Sequence, residues 1–434
     1  MSTLKVNKLR DTAGSADAIT LDPNGGAVLA GVTTMTTARV TSGIVTNTFI
    51  VGAGVTISES GIEASGIGIT CANINGTQIG GRRNIVINGA MNVAQRSTSE
   101  SSLGASAGYF TLDRYRTTFS STAGRLTMSQ VADVHDGFAN AMKFECTTAD
   151  TSVGSSEYFI LQHKFEGQDV QQLKKGSADA EEFTVSFYVK GNASATYVVE
   201  MYDLDNNRQV GKTFSVTTSW TRVVLTFPAD TTGALDDDNN ASLQLGIWLH
   251  AGSNYTSGTL ATSWISNVSA QRAGGITSFF DSTDRTFFLT GLQLEVGSQA
   301  TPFEHRSYGE ELALCQRYYY KHAFGSSKAG SSNISNNNHP VGMCAIYTTS
   351  AGFGYIQYPV TMRALPTLDN TTGTDYYRIY ANGGTDNFND ISSQQFGVTN
   401  SVINYYDGFS KDTGHAGWIQ CYNANSSIAF TCEL

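Results

Sequence analysis

Short alternating apolar segments, rather than long helical repeats, dominate the sequence between residues 83 and 306. In "EEFTVSFYVKG" every second residue is apolar: Phe183, Val185, Phe187 and Val189. These side chains therefore share one face of an extended strand. Further segments such as "SATYVVEMYD" and "RTFFLTGLQLEVG" repeat the pattern, joined by turns rich in Asn, Asp and Gly. Strands of this kind without long helices between them indicate an antiparallel sandwich of the jelly-roll type.

Residues 1–82 differ in composition from the rest of the chain. They contain a single aromatic residue, Phe49, and their Val, Ile and Ala residues are punctuated by Gly, Thr and Ser. Runs such as "GVTISESGIEASGIGIT" alternate over three to five residues. Such strands form a core only if they repeat or if three chains wind around one axis. We therefore predict a fibrous β shaft in a homotrimer, with a disordered Gly/Ser-rich linker as the alternative.

One helical signal interrupts the β pattern at "SYGEELALCQRYYYKH", residues 307–322. Ser307 followed by Glu310 predicts a capping box at the start of this helix. Four residues at helical spacing share one face and form the predicted trimer junction: Leu312, Cys315, Tyr319 and His322. Because so short a helix is marginal in water, we expect it to be stabilised by packing on other copies or on the jelly roll.

Residues 323–434 predict a second β domain, which we interpret as a sandwich-like tip. After the loop "GSSKAGSSNISNNNH", strand patterns resume in segments such as "GYIQYPVTM" and "HAGWIQCYNANSSIAFTCEL". Charged residues are few here, and Asn and Tyr are frequent. The predicted fold class is therefore all-β, with a shaft at 1–82, a jelly roll at 83–306, a helical junction at 307–322 and the tip at 323–434.

The charge balance limits the partners of this protein. Of its 434 residues 15% are charged, and the formal net charge is −10. Nucleic-acid binding requires a basic surface, so we expect no nucleic acid partner. The sequence has no apolar run long enough for a membrane helix and no hydrophobic signal-peptide core, so we expect no membrane insertion and synthesis in a cytosol. The six cysteines match no zinc-binding spacing and are expected to be buried thiols.

Two stretches of the sequence resemble tail-fibre and appendage proteins of bacteriophages, marine cyanophages especially. They are "RRNIVINGAMNVAQRS" and "FFLTGLQLEVGSQATPFEHRSYGEELALCQRYYYKH". The strand pattern of residues 83–306 is also similar to that of jelly-roll carbohydrate-binding modules. The resemblance covers roughly residues 82–322. It implies a homotrimeric virion fibre, made in the cytoplasm of the bacterial host. Such a fibre attaches through its N-terminus to phage tail, adaptor or baseplate proteins and exposes its distal end to host polysaccharide or lipopolysaccharide.

The sequence carries no recognisable catalytic motif. Its seven histidines are scattered, and neither an HxxxH pair nor a GxSxG or phosphate-binding loop is present. A pair of carboxylates could hydrolyse a glycosidic bond, and Glu200, Asp203 and Asp205 are the candidates. These three lie in or beside one strand and are interpreted as surface groups. We therefore predict a binding protein rather than an enzyme, with a polysaccharide depolymerase and a purely structural virion decoration as alternatives.

Sugar binding needs flat aromatic faces with amide or hydroxyl donors beside them. In "ASLQLGIWLHAG" the alternating Leu and Ile side chains face the core, so Gln244, Trp248 and His250 fall on the opposite face. The same reasoning, applied to other strands and to the tyrosine pairs of the tip, gives these glycan-binding candidates: Tyr188, Tyr202, Gln244, Trp248, His250, Tyr376, Tyr377, Tyr405, Tyr406 and Trp418. The alternative is that these side chains form a second buried layer or a subunit contact.

The densest acidic cluster, "DDDNN", supplies the only metal candidates that we identify in the sequence. Asp236, Asp237 and Asp238 provide hard oxygen ligands on a loop, which suit Ca²⁺. Carbohydrate-binding jelly rolls often hold a structural calcium, although the position of this loop is not a clear match. A solvated turn is the competing interpretation. No other cofactor is expected.

Overall fold

The computed structural model describes residues 82–329 and 338–434 and, of residues 1–81, only the backbone of eight short strands. The chain divides into two compact units, residues 1–71 and 72–434. The eight strands are β1 (Lys8–Arg10), β2 (Asp17–Leu21), β3 (Ala27–Leu29), β4 (Thr48–Ile50), β5 (Val55–Ser58), β6 (Gly61–Ala64), β7 (Asn73–Ile74) and β8 (Thr77–Gln78). In the first unit, β1–β3 and β4–β6 each form an antiparallel three-stranded sheet. The predicted trimeric shaft otherwise lies outside the described residues.

The predicted all-β fold with a jelly-roll sandwich is confirmed. Its strands are β9 (Ser99–Leu103), β10 (Gly108–Tyr109), β11 (Arg116–Ser120), β12 (Arg125–Val131), β13 (Ala141–Thr148), β14 (Tyr158–Glu166), β15 (Phe183–Gly191), β16 (Ala195–Asp203), β17 (Arg208–Val216), β18 (Thr221–Phe227), β19 (Ala241–Ala251), β20 (Ile265–Ser266) and β21 (Thr286–Val296). One sheet has the order β10-β11-β14-β19-β16-β17-β20 and the other β18-β15-β21-β13-β12-β9. A four-residue helix, α1 (Ser253–Thr256), follows β19.

Alternation along the strands builds the jelly-roll core. The predicted inward residues of β15 are buried and belong to one hydrophobic cluster: Phe183, Val185, Phe187 and Val189. The predicted inward face of β19 packs in the same cluster through Leu243, Leu245, Ile247 and Leu249. The two sheets thus bury their apolar faces against each other, and this burial is the main stabilising contribution to such a sandwich.

The tip is a second set of antiparallel sheets. Its strands are β22 (Tyr319–Phe324), β23 (Pro340–Thr348), β24 (Ala351–Gln357), β25 (Thr367–Asn370), β26 (Tyr377–Ala381), β27 (Gly384–Phe388), β28 (Asp390–Phe396), β29 (Asn400–Tyr406), β30 (Ala416–Cys421) and β31 (Ser427–Thr431). A seven-stranded sheet, β27-β26-β30-β23-β24-β29-β28, and a three-stranded sheet, β22-β31-β25, share one hydrophobic core. No helix of the described residues has both the length and the apolar character needed to cross a membrane.

The helix between the two domains, α2 (Tyr308–Gln316), is shorter than predicted. Its start is as expected: the Ser307 side chain accepts from the Glu310 backbone, and the Glu310 carboxylate accepts from the Ser307 backbone in return. The prediction that Tyr319 and His322 extend its face is wrong, because both lie in strand β22. That strand pairs with β31, so Tyr319 and Tyr320 lie in a sheet rather than in a helix.

Within the single chain, the predicted junction residues already pack against other residues or hydrogen-bond to them. Cys315 is fully buried in a cluster with Ile87 and Val93, and Leu312 packs against that cluster. Tyr319 is 3% exposed, with the Arg96 guanidinium 3.6 Å above its ring. The half-buried His322 contacts the Val341 carbonyl through Nε2 at 2.6 Å. The interpretation of this face as a trimer contact is therefore wrong for Cys315 and Tyr319, since neither side chain is accessible to another copy.

The structure brings together the two sequence stretches at residues 82–97 and 287–322. The Asn88 backbone donates to the Glu311 carboxylate at 2.5 Å, and the Asn84 backbone donates to Glu304 at 2.6 Å. The Arg306 guanidinium donates to the Val86 carbonyl at 2.9 Å. The first stretch therefore lies directly under the connection that leads into α2, and the two stretches form one hydrogen-bonded structure.

Buried ion pairs join the jelly roll to the tip. Glu433, just after β31, binds Arg114 at 2.6 Å and Arg96 at 3.2 Å. Glu166, at the end of β14, binds Arg317 at 2.6 Å. Each of these charges meets a partner of opposite charge where it is removed from water. The ion pairs therefore fix the position of the tip on the jelly roll.

Candidate functional site

The outer face of β19 is covered, which corrects the prediction of an exposed platform there. Trp248 is fully buried in a small cluster with Ile160, Val198 and Ala273. Its indole Nε1 donates to Glu200 at 2.9 Å, and the Arg272 guanidinium lies 4.9 Å from its ring. The strand alternation is as predicted, but the segment after β19 folds back over this face. The side chain belongs to the second buried layer that was the alternative interpretation.

The neighbours of Trp248 on this face are buried as well. Gln244 is 4% exposed and His250 is fully buried. The His250 ring contacts Ser278 Oγ through Nδ1 at 2.7 Å. Neither side chain is accessible to a sugar from solvent. The prediction of a glycan surface at Gln244, Trp248 and His250 is therefore wrong.

Tyr188 and Tyr202 are half-buried, and other side chains cover their rings. The His135 ring stacks on Tyr188 at 4.2 Å between centroids, and Phe138 packs at 5.5 Å. Tyr202 donates its hydroxyl hydrogen bond to Asn207, and the Arg272 guanidinium lies 4.6 Å from its ring. These rings contribute to packing and leave little flat surface for a ligand.

The tyrosine pairs of the tip alternate as the strand geometry requires. Tyr377 and Tyr405 are fully buried in the tip core, while Tyr376 and Tyr406 are half-buried on the outside. Burial raises the pKa of Tyr377 and of Tyr405 above the ordinary value. Buried phenols in a packed core serve the fold, so only the outer member of each pair is available for contact with a partner.

Trp418 is the predicted candidate that the structure leaves open to solvent. Its side chain is 40% exposed, and its ring stacks on Tyr380 at 4.6 Å with an angle of 19° between the planes. Strand pairing causes this contact, because Trp418 of β30 lies directly opposite Tyr380 of β26. Stacking covers one face of each ring, while part of Trp418 stays exposed to solvent. Tyr380 was not among the predicted residues, although it alternates with Arg378 on the outer face of β26.

An open hollow lies beside Tyr380 of the stacked pair. It is lined by the Tyr380–Thr385 segment, in which Asn382 and Gly383 form the turn between β26 and β27. The Asn382 amide donates to the Asp412 carboxylate. An aromatic face bordered by amide, hydroxyl and carboxylate groups has the chemistry that sugar recognition needs. We call Tyr380, Trp418 and this hollow the tip platform.

The exposed apolar surface continues from the tip platform across the sheet. Met343 lies opposite Trp418 in the strand register and is 61% exposed. Tyr355 is 57% exposed and Tyr347 is 70% exposed on the adjoining strands. Clusters of this kind on one sheet face mark an interaction surface rather than a normal scatter of apolar side chains.

A second cleft, with a volume of about 560 Å³, is lined by residues of both the jelly roll and the tip. Its walls carry many hydroxyl groups together with Arg96, Tyr319 and Lys321. Burial lowers the pKa of Lys321 to about 8. The aromatic side chains of this cleft are Tyr109, Phe110 and Tyr319, and the Arg96 guanidinium lies over the rings of both tyrosines. The tip platform is therefore the better candidate for stacking against a ligand.

The carboxylates weighed as catalytic or calcium ligands lie apart from the tip platform. Glu200 binds Arg272 at 2.7 Å and Asp203 is paired with Lys175, so both serve buried ion pairs of the jelly roll. The predicted calcium ligands are placed as follows: Asp236 and Asp237 are exposed and Asp238 is half-buried. The Asp238 carboxylate accepts from the Asn240 backbone at 2.8 Å, as in a solvated turn.

Comparisons with known proteins concern the fold. No protein-family model and no curated protein matches the chain. A family 4 carbohydrate-binding module has 12% identity and a TM-score of 0.25, covering 48% of this chain and 97% of that chain. The module TmCBM61, solved with β-1,4-galactotriose, has 11% identity and a TM-score of 0.26, covering 50% and 99%.

A third similar structure is the xylan-binding CBM22-1 domain of Xyn10C from Paenibacillus barcinonensis. It has 12% identity and a TM-score of 0.23, covering 47% of this chain and 94% of that chain. Because the identities and TM-scores are low, the function of this chain is argued from its own side chains. The solved structures that resemble it include carbohydrate-binding modules with jelly-roll folds.

Proposed function

We propose that this protein is a phage tail-fibre protein that binds a glycan of the host surface through the tip platform. The observation that carries the glycan part is the stacked pair of the exposed Trp418 and the half-buried Tyr380 beside an open hollow. The apolar C–H face of a sugar ring packs on an aromatic face, while its hydroxyls bond to polar groups at the edge. Among the aromatic candidates, this pair combines exposure with both of these features.

The virion setting of the proposal rests on the sequence resemblance of roughly residues 82–322. A homotrimer attached through its N-terminus would present three tip platforms to one surface. Weak binding at each site would then be amplified, because the second and third contacts are intramolecular. Such a fibre would adsorb reversibly to a polysaccharide or lipopolysaccharide layer.

A structural virion protein without a receptor role is the second candidate. The exposed side chains of Met343, Tyr347 and Tyr355 favour it, since they extend the tip platform into a face that another subunit could cover. A depolymerase is less well supported at the carboxylates considered above, because Glu200 and Asp203 are each paired with a cation.

The test is a pair of alanine substitutions measured for glycan binding and for assembly. Trp418→Ala should weaken adsorption to host cells and to an array of bacterial polysaccharides about tenfold or more, as for a central aromatic contact. Tyr347→Ala is the matched control, because it removes an even more exposed aromatic ring of the same sheet outside the platform. Its binding should stay within about threefold of the unsubstituted protein.

Oligomeric state, measured by light scattering, separates the two candidates. Unchanged binding by the Trp418→Ala protein at an unchanged oligomeric state would refute the tip platform as the glycan site. Dissociation of the oligomer by either substitution would instead assign this face to subunit packing.

A further inference from the structure

Three metal-ligating side chains converge at one end of the jelly roll. Asp150 lies in the loop after β13, Glu157 directly precedes β14, and His250 lies near the end of β19. One ligand atom from each of them lies within 4.8 Å of the other two. His250 is more than ninety positions from the two carboxylates, so no local pattern predicts that the three meet.

These side chains are removed from water. Asp150 is 5% exposed and His250 is fully buried, while the Glu157 side chain keeps 12% of its surface. Among the described residues, no Lys or Arg forms an ion pair with Asp150 or Glu157. The imidazole of His250 lies beside the carboxylates, with its Nε2 3.4 Å from Glu157.

The charge of this cluster is unbalanced. Asp150 and Glu157 place two carboxylates beside a single imidazole at a site that is largely removed from water. Adjacent buried carboxylates without a cation are costly. A divalent cation between them would remove that cost.

Neighbouring groups orient two of the three side chains, His250 and Asp150, as they do around bound metals. Ser278 Oγ lies 2.7 Å from His250 Nδ1, which leaves Nε2 directed at the carboxylates. The Asp150 carboxylate accepts from Thr122 Oγ1 at 2.7 Å and from the Ala123 backbone at 2.8 Å. Supporting hydrogen bonds of this type fix the tautomer of a ligating histidine and the direction of a ligating carboxylate.

We propose that Asp150, Glu157 and His250 bind a divalent transition-metal ion of the Zn²⁺ type. One imidazole and two carboxylates suit such an ion, whereas Ca²⁺ takes oxygen ligands. Tetrahedral ligands at the usual bond lengths are separated by about 3.3 Å, close to the 3.4 Å between His250 and Glu157. The ion would tie the loop between β13 and β14 to β19. The site lies in the jelly roll and is independent of glycan binding by the tip.

The experiment uses the full chain, first treated with chelator and then dialysed against ZnCl₂, MnCl₂ or CaCl₂. We expect about one Zn²⁺ per chain by elemental analysis and a rise in melting temperature that grows with Zn²⁺ concentration. Glu157→Gln should lower the Zn²⁺ affinity at least tenfold, and His250→Gln should do the same if it folds. Asp237→Asn is the matched control, because it neutralises an exposed acidic residue elsewhere in the jelly roll.

Glu157 keeps some exposure, so its substitution tests the site even where the buried His250→Gln protein does not fold. Absence of bound Zn²⁺ together with an unchanged melting temperature would overturn the proposal. An equal Zn²⁺ response of the unsubstituted and Glu157→Gln proteins would show adventitious binding and overturn it as well. Stabilisation by Ca²⁺ with no response to Zn²⁺ would reject the assignment of the ion.

Discussion

Glu166 offers a direct measure of how strongly the jelly roll holds the tip. Its side chain is fully buried and accepts two hydrogen bonds from Arg317, at 2.7 Å and 2.6 Å, and one from the Tyr318 hydroxyl. Both donors belong to the segment that leads from α2 into β22. Glu166→Gln keeps the shape of this side chain and removes the charge that faces Arg317.

The expected loss follows from burial. Removing one partner of a buried ion pair destabilises a protein by about 3–5 kcal/mol, since the remaining charge is left without compensation. Arg317 retains 28% of its side-chain surface, so water compensates part of its charge. We therefore expect a loss near the lower limit, about 3 kcal/mol in the free energy of unfolding.

Urea unfolding followed by tryptophan fluorescence measures this loss. Glu181→Gln is the matched control, because Glu181 pairs with Lys174 at the surface, where the two side chains are 40% and 52% exposed. An exposed pair contributes about 0–1 kcal/mol. Equal losses for the two variants, or a loss below about 1 kcal/mol for Glu166→Gln, would contradict the argument that burial decides the strength of the pair.

The same pair makes stability depend on pH in one direction. Burial raises the pKa of Glu166, but hydrogen bonds from Arg317 and Tyr318 outweigh burial and hold the pKa below its ordinary value. The contribution is therefore complete above the unfolded pKa of about 4.3 and is lost as the pH falls through the lower folded value. The difference between the unsubstituted and Glu166→Gln proteins should shrink in acid unfolding measured below about pH 4.

Two further substitutions test local geometry by thermal or urea unfolding. Gly291→Ala should cost more than about 1 kcal/mol, because φ is +63° and a Cβ would lie 2.6 Å from the Phe138 ring. Gly309→Ala in α2, where a Cβ would meet no atom within 4 Å, should be neutral or stabilising and serves as its control. Ser307→Ala should cost about 1 kcal/mol by removing the helix cap, and an unchanged stability would mean that the capping box contributes nothing to α2.

The sequence was most informative where burial follows a local period. Alternation on β15 and β19 predicted which side chains enter the jelly-roll core, because a strand in a sandwich has one face towards the opposite sheet. The helix start at Ser307 was also predictable, since capping depends on residues three apart in the chain. These features need no knowledge of distant segments.

The errors arise where distant segments decide the outcome. Trp248 has the outward orientation that alternation predicts, but residues after β19, including Tyr255 and Arg272, cover it. Tyr319 and Tyr320 continue a helical sequence pattern, yet the pairing of β22 with β31 places them in a sheet. The spacing of side chains along the sequence predicts neither the covering of Trp248 nor the pairing with β31.

The candidate sites show the same division. Trp418 was a candidate from composition and strand pattern, but its partner Tyr380 depends on the register between β26 and β30. The cluster of Asp150, Glu157 and His250 depends on the loop between β13 and β14 meeting β19 at one end of the sandwich. Sequence reasoning considered His250 for a different role, since its carboxylate neighbours lie more than ninety positions away.

The pairing of β22 with β31 has a consequence for biosynthesis. Arg317 and Cys432, which contact each other at this sheet, are 115 positions apart. At a translation rate of about 5–20 residues per second, the earlier segment waits roughly 6–23 s for its partner to leave the ribosome. During that interval the hydrogen-bonding edge of residues 319–324 is unpaired, as at any open sheet edge. The sheet that contains β22 can therefore be completed only after β31 has been translated.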